Sequence, residues 1–477
     1  MKKYIIAPAL LLLLLVAGAS CKKSFLEILP KGKVIAVSYN DYQLLLNNPD
    51  LLNVGADGQI MMGDEVTCAD PYYSGLTLRE QNLFAWADEI YQPDEDAAET
   101  SGPLTNIYTY NKIINEVMGA ADGTDEQKKM ILAEALAGRA WTYFLLINYY
   151  GKPYQKATAA SDPGFPIITT ADITVNHFTR ASVQDVYDLI TGDLQKALPD
   201  LSPTLFHRLR MSKPAAQALL AKVYVFMQRY DEALPLLDSA LQGIATTQVP
   251  VQLYDYNQTF APGGLFTPIS LFGPNYPVSS DNQEVLYLRQ FSNFHVLDNT
   301  LQVDSATMTK YESSDLRLLL YSNTPFPVGD PFPAGSQRRT APSIVPFGVN
   351  LPEIYLLTAE CKARTNDLPG AVAALEQLRK NRMPQADAAV PPAVAGNQMQ
   401  LLQFVMDERL REFAGLGSRW FDMRRLSIDP LFSTSAYTHT LYHTDGTTTT
   451  HTLQPDRLML KIPPKILLAN PGMEDNP

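Results

Sequence analysis

PAAQALLAKVYVFMQRYDEALPLLDSAL, residues 214–241, is the stretch that decides the fold of this chain. Small and large apolar residues recur along it with the spacing of the 34-residue tetratricopeptide repeat, in which small side chains let two antiparallel helices approach closely. The positions that carry this pattern are Ala221, Tyr224, Ala233, Leu237 and Ala240. The stretch therefore predicts a helical hairpin.

The same spacing returns in Pro352–Met383. Its alanines Ala359 and Ala371 stand twelve residues apart, as do the corresponding alanines of the first hairpin, and Asn366-Asp367 supplies turn residues between the two helices. A regular solenoid needs adjacent repeats to bury the faces of each unit. Two hairpins so far apart in the chain therefore predict a helical scaffold that is interrupted by a long insertion.

Three further amphipathic helices are predicted ahead of the first hairpin, because apolar residues recur along them at helical spacing. They cover Leu104–Ala120, Glu126–Tyr149 and a segment that opens with Ser182 and ends near Leu198. Ser182 is a typical N-terminal cap, since its hydroxyl accepts a hydrogen bond from a free backbone N–H of the first turn. The first half of the chain is expected to be mainly helical.

Two loop-rich zones interrupt the helices and are candidate binding surfaces, because binding residues concentrate on loops that a rigid scaffold carries. The first zone is Asp57–Gly102, which holds several aromatic residues. The second zone is the insertion Val249–Val349, which is rich in proline, glycine and aromatic residues. Within the second zone, Glu284–Gln290 has the composition of a short strand.

The composition limits the class of protein and its partners. The chain has 38 basic and 50 acidic residues and a formal net charge of −12, which argues against nucleic acid as a partner. Its length is ample for a large buried core. Beyond Cys21 the cysteines are Cys68 and Cys361, too few for a disulfide framework, and whether these two pair is left open.

Residues 1–20 have the features of a bacterial lipoprotein signal peptide. Lys2 and Lys3 precede an apolar run of about 15 residues, which is too short for a stable membrane span of about 20, and small residues follow this run up to Cys21. Cys21 is the expected acceptor of a diacylglycerol, which would anchor the mature chain to a membrane. An ordinary secretory signal with an incidental cysteine is the alternative.

Histidines near the C-terminus raise the question of a metal site. The alternating pattern around Asp445-Gly446 predicts a β-hairpin with a two-residue turn. In that register His451 lies on the opposite face from His439 and His443, and the latter two are about 13 Å apart along their strand. These three histidines therefore cannot share one metal ion, and we predict no metal site in the hairpin. No cofactor is predicted either.

Charged residues crowd the segment Asp407–Arg425, which reads DERLREFAGLGSRWFDMRR. A catalytic carboxylate with an arginine clamp is one interpretation. We favour buried ion pairs at a junction of two helices, because Phe404 and Arg411 recur at helical spacing and Gly415 or Gly417 can end the first helix.

Two pairs of acidic residues remain as candidates for catalysis. Asp64–Glu65 and Asp94–Asp96 could act as the paired carboxylates of a glycoside hydrolase. We interpret both pairs as residues of solvated loops. No catalytic residue is therefore predicted, and the chain is expected not to be an enzyme.

The charged segment resembles the most specific motif of the SusD/RagB family, the lipid-anchored substrate-binding partners of TonB-dependent outer-membrane transporters. Further short matches occur in the order that this family has. They are CKKSFLEILP at 21–30, Tyr39–Asn47, EVLY at 284–287, DLR at 315–317, the hairpin segments 352–360 and 378–382, and the tail IPPK at 462–465. Their joint occurrence behind a predicted lipidation site makes the resemblance specific.

The resemblance implies a mostly α, SusD-like fold. In it, tetratricopeptide-type helical hairpins stand beside a loop-rich irregular half with short strands and a C-terminal β-hairpin. It also implies a single domain over residues 21–477, with an N-terminal half to about residue 245 and a C-terminal half from about residue 246 that includes the insertion.

The resemblance further implies an outer-membrane lipoprotein that binds a nutrient, in the first place an oligosaccharide, and delivers it to a SusC-like TonB-dependent transporter. Three alternatives stay open: a RagB-type peptide-binding lipoprotein, a surface glycan hydrolase, and a tetratricopeptide interaction scaffold. We expect the chain to face the outside of the cell. Lys22 and Lys23 stand where outward-facing members often carry acidic residues, so the leaflet is left open.

Ligand sites in the family are built from the two loop-rich zones. Trp86 is the leading candidate, because an indole face stacks on the C–H face of a sugar ring, whereas Trp141 and Trp420 lie in predicted core segments. Ordinary loop packing is the alternative for each candidate. The other candidates are Tyr72, Tyr73, Arg79, Asn82, Phe272, Asn275 and Tyr276.

Overall fold

A computed structural model describes residues 36–175, 177–295, 299–433 and 435–477. Cys21 and the predicted signal peptide lie outside the described residues. The helices are α1 (Tyr39–Leu46), α2 (Gly58–Met61), α3 (Asp70–Tyr73), α4 (Leu78–Phe84), α5 (Ala98–Glu116), α6 (Asp125–Tyr150), α7 (Val183–Ala197), α8 (Lys213–Phe226), α9 (Tyr230–Ile244), α10 (Tyr256–Thr259), α11 (Ser305–Met308), α12 (Leu351–Arg364), α13 (Leu368–Arg379), α14 (Pro392–Ala395), α15 (Gln398–Phe413), α16 (Ser418–Leu426) and α17 (Pro464–Ala469). The mostly α fold is confirmed.

Both predicted helical hairpins are present, as α8–α9 and α12–α13. Ala221, Ala233, Ala359 and Ala371 are fully buried at the positions where the helices of each pair approach one another. Helix α9 also packs on α12, so the two hairpins meet in space although a long insertion separates them in the chain. The scaffold predicted from the alanine spacing is therefore continuous.

Helices α6 and α7 begin with side-chain caps. Thr124 caps α6 and Ser182 caps α7, each in a capping box with the residue three positions on. Helix α5 begins at Ala98, six residues before the predicted start, and contains Pro103. The first loop-rich zone therefore ends earlier than its glycine and proline suggested.

Helix α6 is the central helix of the core. By length and composition it could cross a membrane, but 83% of its most apolar window is buried inside the protein. Its apolar residues pack in the main core with α7, α8 and the loop segments that follow. Its hydrophobicity is thus that of a buried helix of a folded domain.

The strands are short and join distant parts of the chain. They are β1 (Val66–Ala69), β2 (Val285–Tyr287), β3 (Gln290–Ser292), β4 (Gln302–Val303), β5 (Tyr321–Ser322), β6 (Arg338–Arg339), β7 (Ile344–Pro346), β8 (Val349–Asn350), β9 (Thr438–Tyr442) and β10 (Thr448–Thr452). In the described residues, β1 pairs with β4 and with β9, so one small sheet of order β10-β9-β1-β4 connects the first zone, the second zone and the C-terminal hairpin. Further pairs are β2–β8, β3–β7 and β5–β6.

The C-terminal hairpin is confirmed, but its predicted register is wrong by one residue. His439 lies directly opposite His451, so the two share a face of the hairpin. The backbone N–H of His443 donates to the carbonyl of Thr447, which leaves three residues in the loop, and Gly446 there adopts a φ of 84°. A left-handed glycine permits this three-residue loop in place of the two-residue turn that was expected.

The charged segment forms buried ion pairs, as its spacing predicted. Glu408 on α15 accepts hydrogen bonds from Arg379 and Arg411 at 2.7 and 2.6 Å, and Arg317 lies 2.7 Å from its other oxygen. Burial alone would raise the pKa of Glu408, but the three guanidinium groups hold that pKa well below its usual range. These charges therefore lock α15 to α13 and to the second zone.

The two remaining cysteines form no disulfide. Cys68 lies on β1 and Cys361 on α12, and both are buried thiols. The Cys68 thiol donates to the carbonyl of Thr300 at 2.8 Å, which adds a contact between the two loop-rich zones.

Candidate functional site

Four aromatic side chains bring the two loop-rich zones together at the protein surface. The rings of Tyr72 and Phe332 lie 5.9 Å apart, and the rings of Phe272 and Phe326 lie 4.6 Å apart, measured between centroids. Phe272 is 64% exposed, and the other three rings are partly exposed. We call these four residues the aromatic surface.

The segment 323–333 holds the aromatic surface in place. The Tyr72 hydroxyl donates to the carbonyl of Asp330 at 2.7 Å, which ties helix α3 to this segment. Asn299 clamps the segment from the other side, since its amide donates to the Phe326 carbonyl at 2.6 Å and accepts from the Phe326 N–H at 2.8 Å. The rings are thus set on loops that are fixed by hydrogen bonds.

A cleft of about 480 Å³ opens beside Phe272. This volume lies within the roughly 300–1,000 Å³ that small-molecule sites occupy. Apolar side chains and hydroxyl or amide groups share its wall, which suits a ligand with both C–H faces and hydroxyls. The residues that line the cleft include Phe272, Tyr276, Ser280, Gln290, Ser343 and Ile344.

Tyr276 lines this cleft, and Asn275 precedes it in the chain. The Tyr276 ring packs on Phe266 with centroids 5.0 Å apart, and burial raises the pKa of Tyr276 well above its usual value. The Asn275 amide donates to the Leu265 carbonyl at 3.1 Å while the residue stays exposed. Phe272 and Tyr276 therefore line one cleft, and a ligand-binding role for Phe272, Asn275 and Tyr276 stays a prediction.

Trp86 does not offer a ring face to a ligand, so that prediction is wrong. The side chain is 6% exposed, its ring stacks on His439 with centroids 3.8 Å apart, and its N–H donates to the Met62 carbonyl at 3.1 Å. His439 is buried as well, and its two ring nitrogens lie 2.7 and 2.6 Å from the carbonyls of Phe84 and Gly63. Core packing explains both side chains.

Three other candidates of the first zone use their polar groups within that zone. The Tyr73 hydroxyl donates to the Gln81 carbonyl at 3.3 Å, and the Asn82 amide donates to the Glu89 carbonyl at 2.8 Å. Arg79 is bound by carboxylates, as described below. A ligand-binding role for these three stays a prediction, and Tyr72 is the candidate of this zone that joins the aromatic surface.

Phe326 and Phe332 were missed from the sequence. Each is the centre of a Pro-Phe-Pro triplet, at 325–327 and at 331–333, and the two triplets are six residues apart. Proline flanks restrict the backbone on both sides of each phenylalanine. This repetition was the available signal that the segment presents its phenylalanines in a fixed arrangement.

The acidic pairs have ordinary structural partners. Asp64 accepts two hydrogen bonds from Arg419, at 2.5 and 3.0 Å. Glu65 is buried and accepts from the Gly415 N–H at 3.2 Å, and Asp96 pairs with Lys465 at 2.8 Å near the surface. The interpretation as solvated-loop residues is right for the exposed Asp94 and Asp96, but it is wrong for Glu65, which lies in the core.

Two family models match the chain. One, described as starch-binding and associating with the outer membrane, matches residues 25–225, and one of the SusD family matches residues 351–477. The chain is 22% identical over 419 residues to SusD-like protein P2 of Formosa agariphila, which covers 77% of this chain and 78% of that relative. The predicted boundary near residue 245 stays a prediction.

Solved structures with the same fold include a putative sugar binding protein from Bacteroides vulgatus, with 20% identity, a TM-score of 0.70, and coverage of 93% of this chain and 99% of that one. A SusD superfamily protein from Bacteroides thetaiotaomicron matches with 18% identity, a TM-score of 0.69, and coverage of 92% and 100%. A SusD-like carbohydrate binding protein from Bacteroides vulgatus matches with 18% identity, a TM-score of 0.66, and coverage of 92% and 97%.

Proposed function

The chain belongs to the SusD/RagB family, and on that premise we propose that it is a non-catalytic outer-membrane lipoprotein that captures an oligosaccharide at the aromatic surface and hands it to a SusC-like TonB-dependent transporter. The family model describes starch binding and association with the outer membrane. The two Bacteroides vulgatus neighbours are named for sugar and carbohydrate binding. These names support a glycan as the class of ligand.

The observation that carries the proposal is the presence of two ring pairs: Tyr72–Phe332 joins the two loop-rich zones, and Phe272–Phe326 places an exposed ring beside a cleft with apolar and polar walls. An aromatic face stacks on the apolar C–H face of a sugar ring, and nearby hydroxyl and amide groups bind its hydroxyls. Phe272 supplies the most exposed ring, and Ser280 and Gln290 supply polar groups in the adjoining cleft. Binding would rest on shape and stacking, without covalent chemistry.

A peptide is the second candidate ligand, and a specific feature favours it. Leu271, Val278 and Val328 are 74, 65 and 82% exposed close to Phe272 or Phe326 in the chain. Exposed aliphatic side chains of this kind gain little from a sugar but can bury apolar side chains of a peptide. The two ligand classes are therefore compared in one experiment.

Capture at the membrane requires the lipid anchor. In our proposal Cys21 carries the acyl groups, and the protein lies on the outer surface of the cell. There it binds its ligand and contacts the transporter. Replacing Cys21 by alanine should release the protein from the membrane fraction while the isolated protein still binds its ligand. Mass spectrometry of the N-terminal peptide would identify the acylated cysteine directly.

Calorimetric titration against panels of oligosaccharides and of peptides tests the ligand class. We expect saturable binding of an oligosaccharide, and Phe272→Ala should weaken it roughly tenfold, which corresponds to about 1.4 kcal/mol. Tyr108→Ala is the matched control, since Tyr108 is an exposed aromatic residue of helix α5 outside the aromatic surface. Binding of peptides alone would overturn the oligosaccharide assignment and support the second candidate.

A further inference from the structure

Asp57, Glu80 and His295 come together outside the aromatic surface. One ligand atom from each, a carboxylate oxygen or an imidazole nitrogen, lies within 4.8 Å of the other two. We propose that these three side chains form a binding site for a divalent transition-metal ion, with Zn²⁺ as the best match. The sequence predicted no metal site from the spacing of its C-terminal histidines, whereas these three residues lie far apart in the chain.

His295 provides the main evidence, because it is buried with one ring nitrogen unused. The side chain is 4% exposed, and its Nδ1 lies 2.5 Å from the Thr300 hydroxyl. Its Nε2 has no hydrogen-bond partner among the residues that the structure describes, and it lies 4.0 Å from Asp57 Oδ2. A buried polar atom without a partner is costly, and a metal ion would satisfy it.

The hydrogen bond at Nδ1 suits metal binding at Nε2. If Nδ1 carries the proton and donates it to Thr300, the lone pair of Nε2 points toward Asp57. A hydrogen bond from the second ring nitrogen is the usual way in which a protein orients a metal-binding histidine. Thr300 would play that part here.

The charge around Asp57 also favours a cation. Arg79 is shared among three carboxylates: it is hydrogen-bonded to Glu99 and lies 3.7 Å from Asp57 and 3.8 Å from Glu95. Glu80 adds a fourth carboxylate. One guanidinium cannot balance four negative charges in a partly buried place, so a divalent ion would relieve their repulsion.

The donor set favours a transition metal over Ca²⁺ or Mg²⁺. Zn²⁺ takes imidazole nitrogen and carboxylate oxygen at about 2.0–2.2 Å, so small side-chain rotations bring donors 4.0–4.8 Å apart into range. Glu80 Oε2 accepts from Thr77 in a capping box, which leaves Oε1 for the ion. Ca²⁺ prefers six to eight oxygen ligands, and Mg²⁺ takes about six in a strict octahedron.

The ion would join the two zones that carry the aromatic surface. Asp57 precedes α2 and Glu80 lies on α4 in the first zone, whereas His295 follows β3 in the second zone. Because the unfolded chain would not hold these three donors together, binding would stabilise the folded state. The predicted site is therefore a structural link between the two loop-rich zones.

Calorimetry and thermal unfolding with Zn²⁺, on chelator-treated protein without an affinity tag and without sugar, test the proposal. We expect one Zn²⁺ per chain and a rise in unfolding temperature with added Zn²⁺. His295→Gln should weaken binding at least about 100-fold and Asp57→Asn at least about tenfold. His443→Gln is the matched control, because His443 lies 2.8 Å from Asp70 at the surface and should bind no structural ion.

Three outcomes would overturn the proposal. One is the absence of saturation at about 100 µM Zn²⁺, which would leave no useful stabilisation. Another is unchanged binding in both His295→Gln and Asp57→Asn, with the second variant serving if the first does not fold. The third is a Ca²⁺ affinity equal to that for Zn²⁺, which would contradict a transition-metal site.

Discussion

Glu65 is a carboxyl group that the fold places in its core. It is 1% exposed, beside the charged pair of Asp64 and Arg419, and it accepts one hydrogen bond from the Gly415 N–H. Burial, with a smaller contribution from Asp64, raises the pKa of Glu65 from 4.5 to about 8. The native protein therefore keeps this side chain neutral at pH 7.

Glu65→Gln should change how stability depends on pH. Between pH 4.5 and about 8 the native state holds a proton on Glu65 that the unfolded chain releases, so the contribution of Glu65 is complete below pH 4.5 and is lost as the pH rises. The slope is up to about 1.4 kcal/mol per pH unit. Urea unfolding at pH 5, 6, 7 and 8 should show the free energy of the variant rising relative to the parent across this range. Parallel pH profiles would contradict the assignment.

Trp86→Ala should destabilise the protein by about 3–5 kcal/mol, the cost of deleting a large buried aromatic side chain. The loss would include stacking on His439 and the hydrogen bond to Met62. Urea unfolding measures it, with Tyr108→Ala as the exposed aromatic control. A folded variant with unchanged stability and weakened ligand binding would return Trp86 to the ligand site.

Individual site residues were only partly predictable from the sequence. Tyr72 and Phe272 were chosen as aromatic residues of loop-rich zones, and the structure shows them in surface ring pairs while their binding role stays a prediction. Trp86 has the same local context, but its environment is set by His439, which lies more than 350 residues further along the chain. Local composition cannot tell which aromatic residue of a loop meets such a distant partner.

Helices α13 and α15 are joined by ion pairs that are almost wholly buried. Glu408 on α15 pairs with Arg379 on α13, and Glu412 pairs with Arg382 just after it. Buried pairs of this kind gain little over apolar packing, but loss of one partner leaves unbalanced charge in the core. The contact between these helices therefore depends on a complete set of charges.

Glu408→Gln should destabilise the protein by about 3–5 kcal/mol, because three guanidinium groups lose their shared carboxylate. The pKa of Glu408 is held below its usual range, so this contribution is present above about pH 4.5 and is lost on acidification. Chemical unfolding at pH 7 measures the effect. Asp96→Asn, which breaks an exposed pair with Lys465, should cost less than about 1 kcal/mol, and an equal loss in both variants would contradict the account.

Elements were predicted well where one periodicity dominates. The alanine spacing gave both helical hairpins, and Ser182 marked the start of α7. The predicted register of the C-terminal hairpin was wrong, because Asp445-Gly446 fits two loop lengths and the conformation of Gly446 decides between them. The detailed conformation of the second zone could not be predicted, because hydrogen bonds between residues far apart in the chain, such as those of Asn299 with Phe326, fix its shape.

At the scale of the whole molecule, a helical scaffold carries two loop-rich zones that meet across a small sheet. The strands β4, β1 and β9 come from three distant parts of the chain, and they bring the first and second zones side by side. Each ring pair has one member, Phe332 or Phe326, on the segment 323–333. The six residue steps from Phe326 to Phe332 separate these two residues by at most about 20 Å.

Calorimetric titration with one oligosaccharide series of increasing length tests whether the aromatic surface captures the ligand. It compares the affinity of the parent with the affinities of Tyr72→Ala, Phe272→Ala and the double variant. We expect the affinity to rise with oligosaccharide length as the ligand reaches both ring pairs. Each single substitution should weaken binding of the longest member roughly tenfold, and the double variant should bind it more weakly still. The control Tyr108→Ala should bind as the parent does. Oligosaccharide binding that none of these substitutions at the aromatic surface weakens, or no saturable binding of any oligosaccharide, would contradict capture at the aromatic surface.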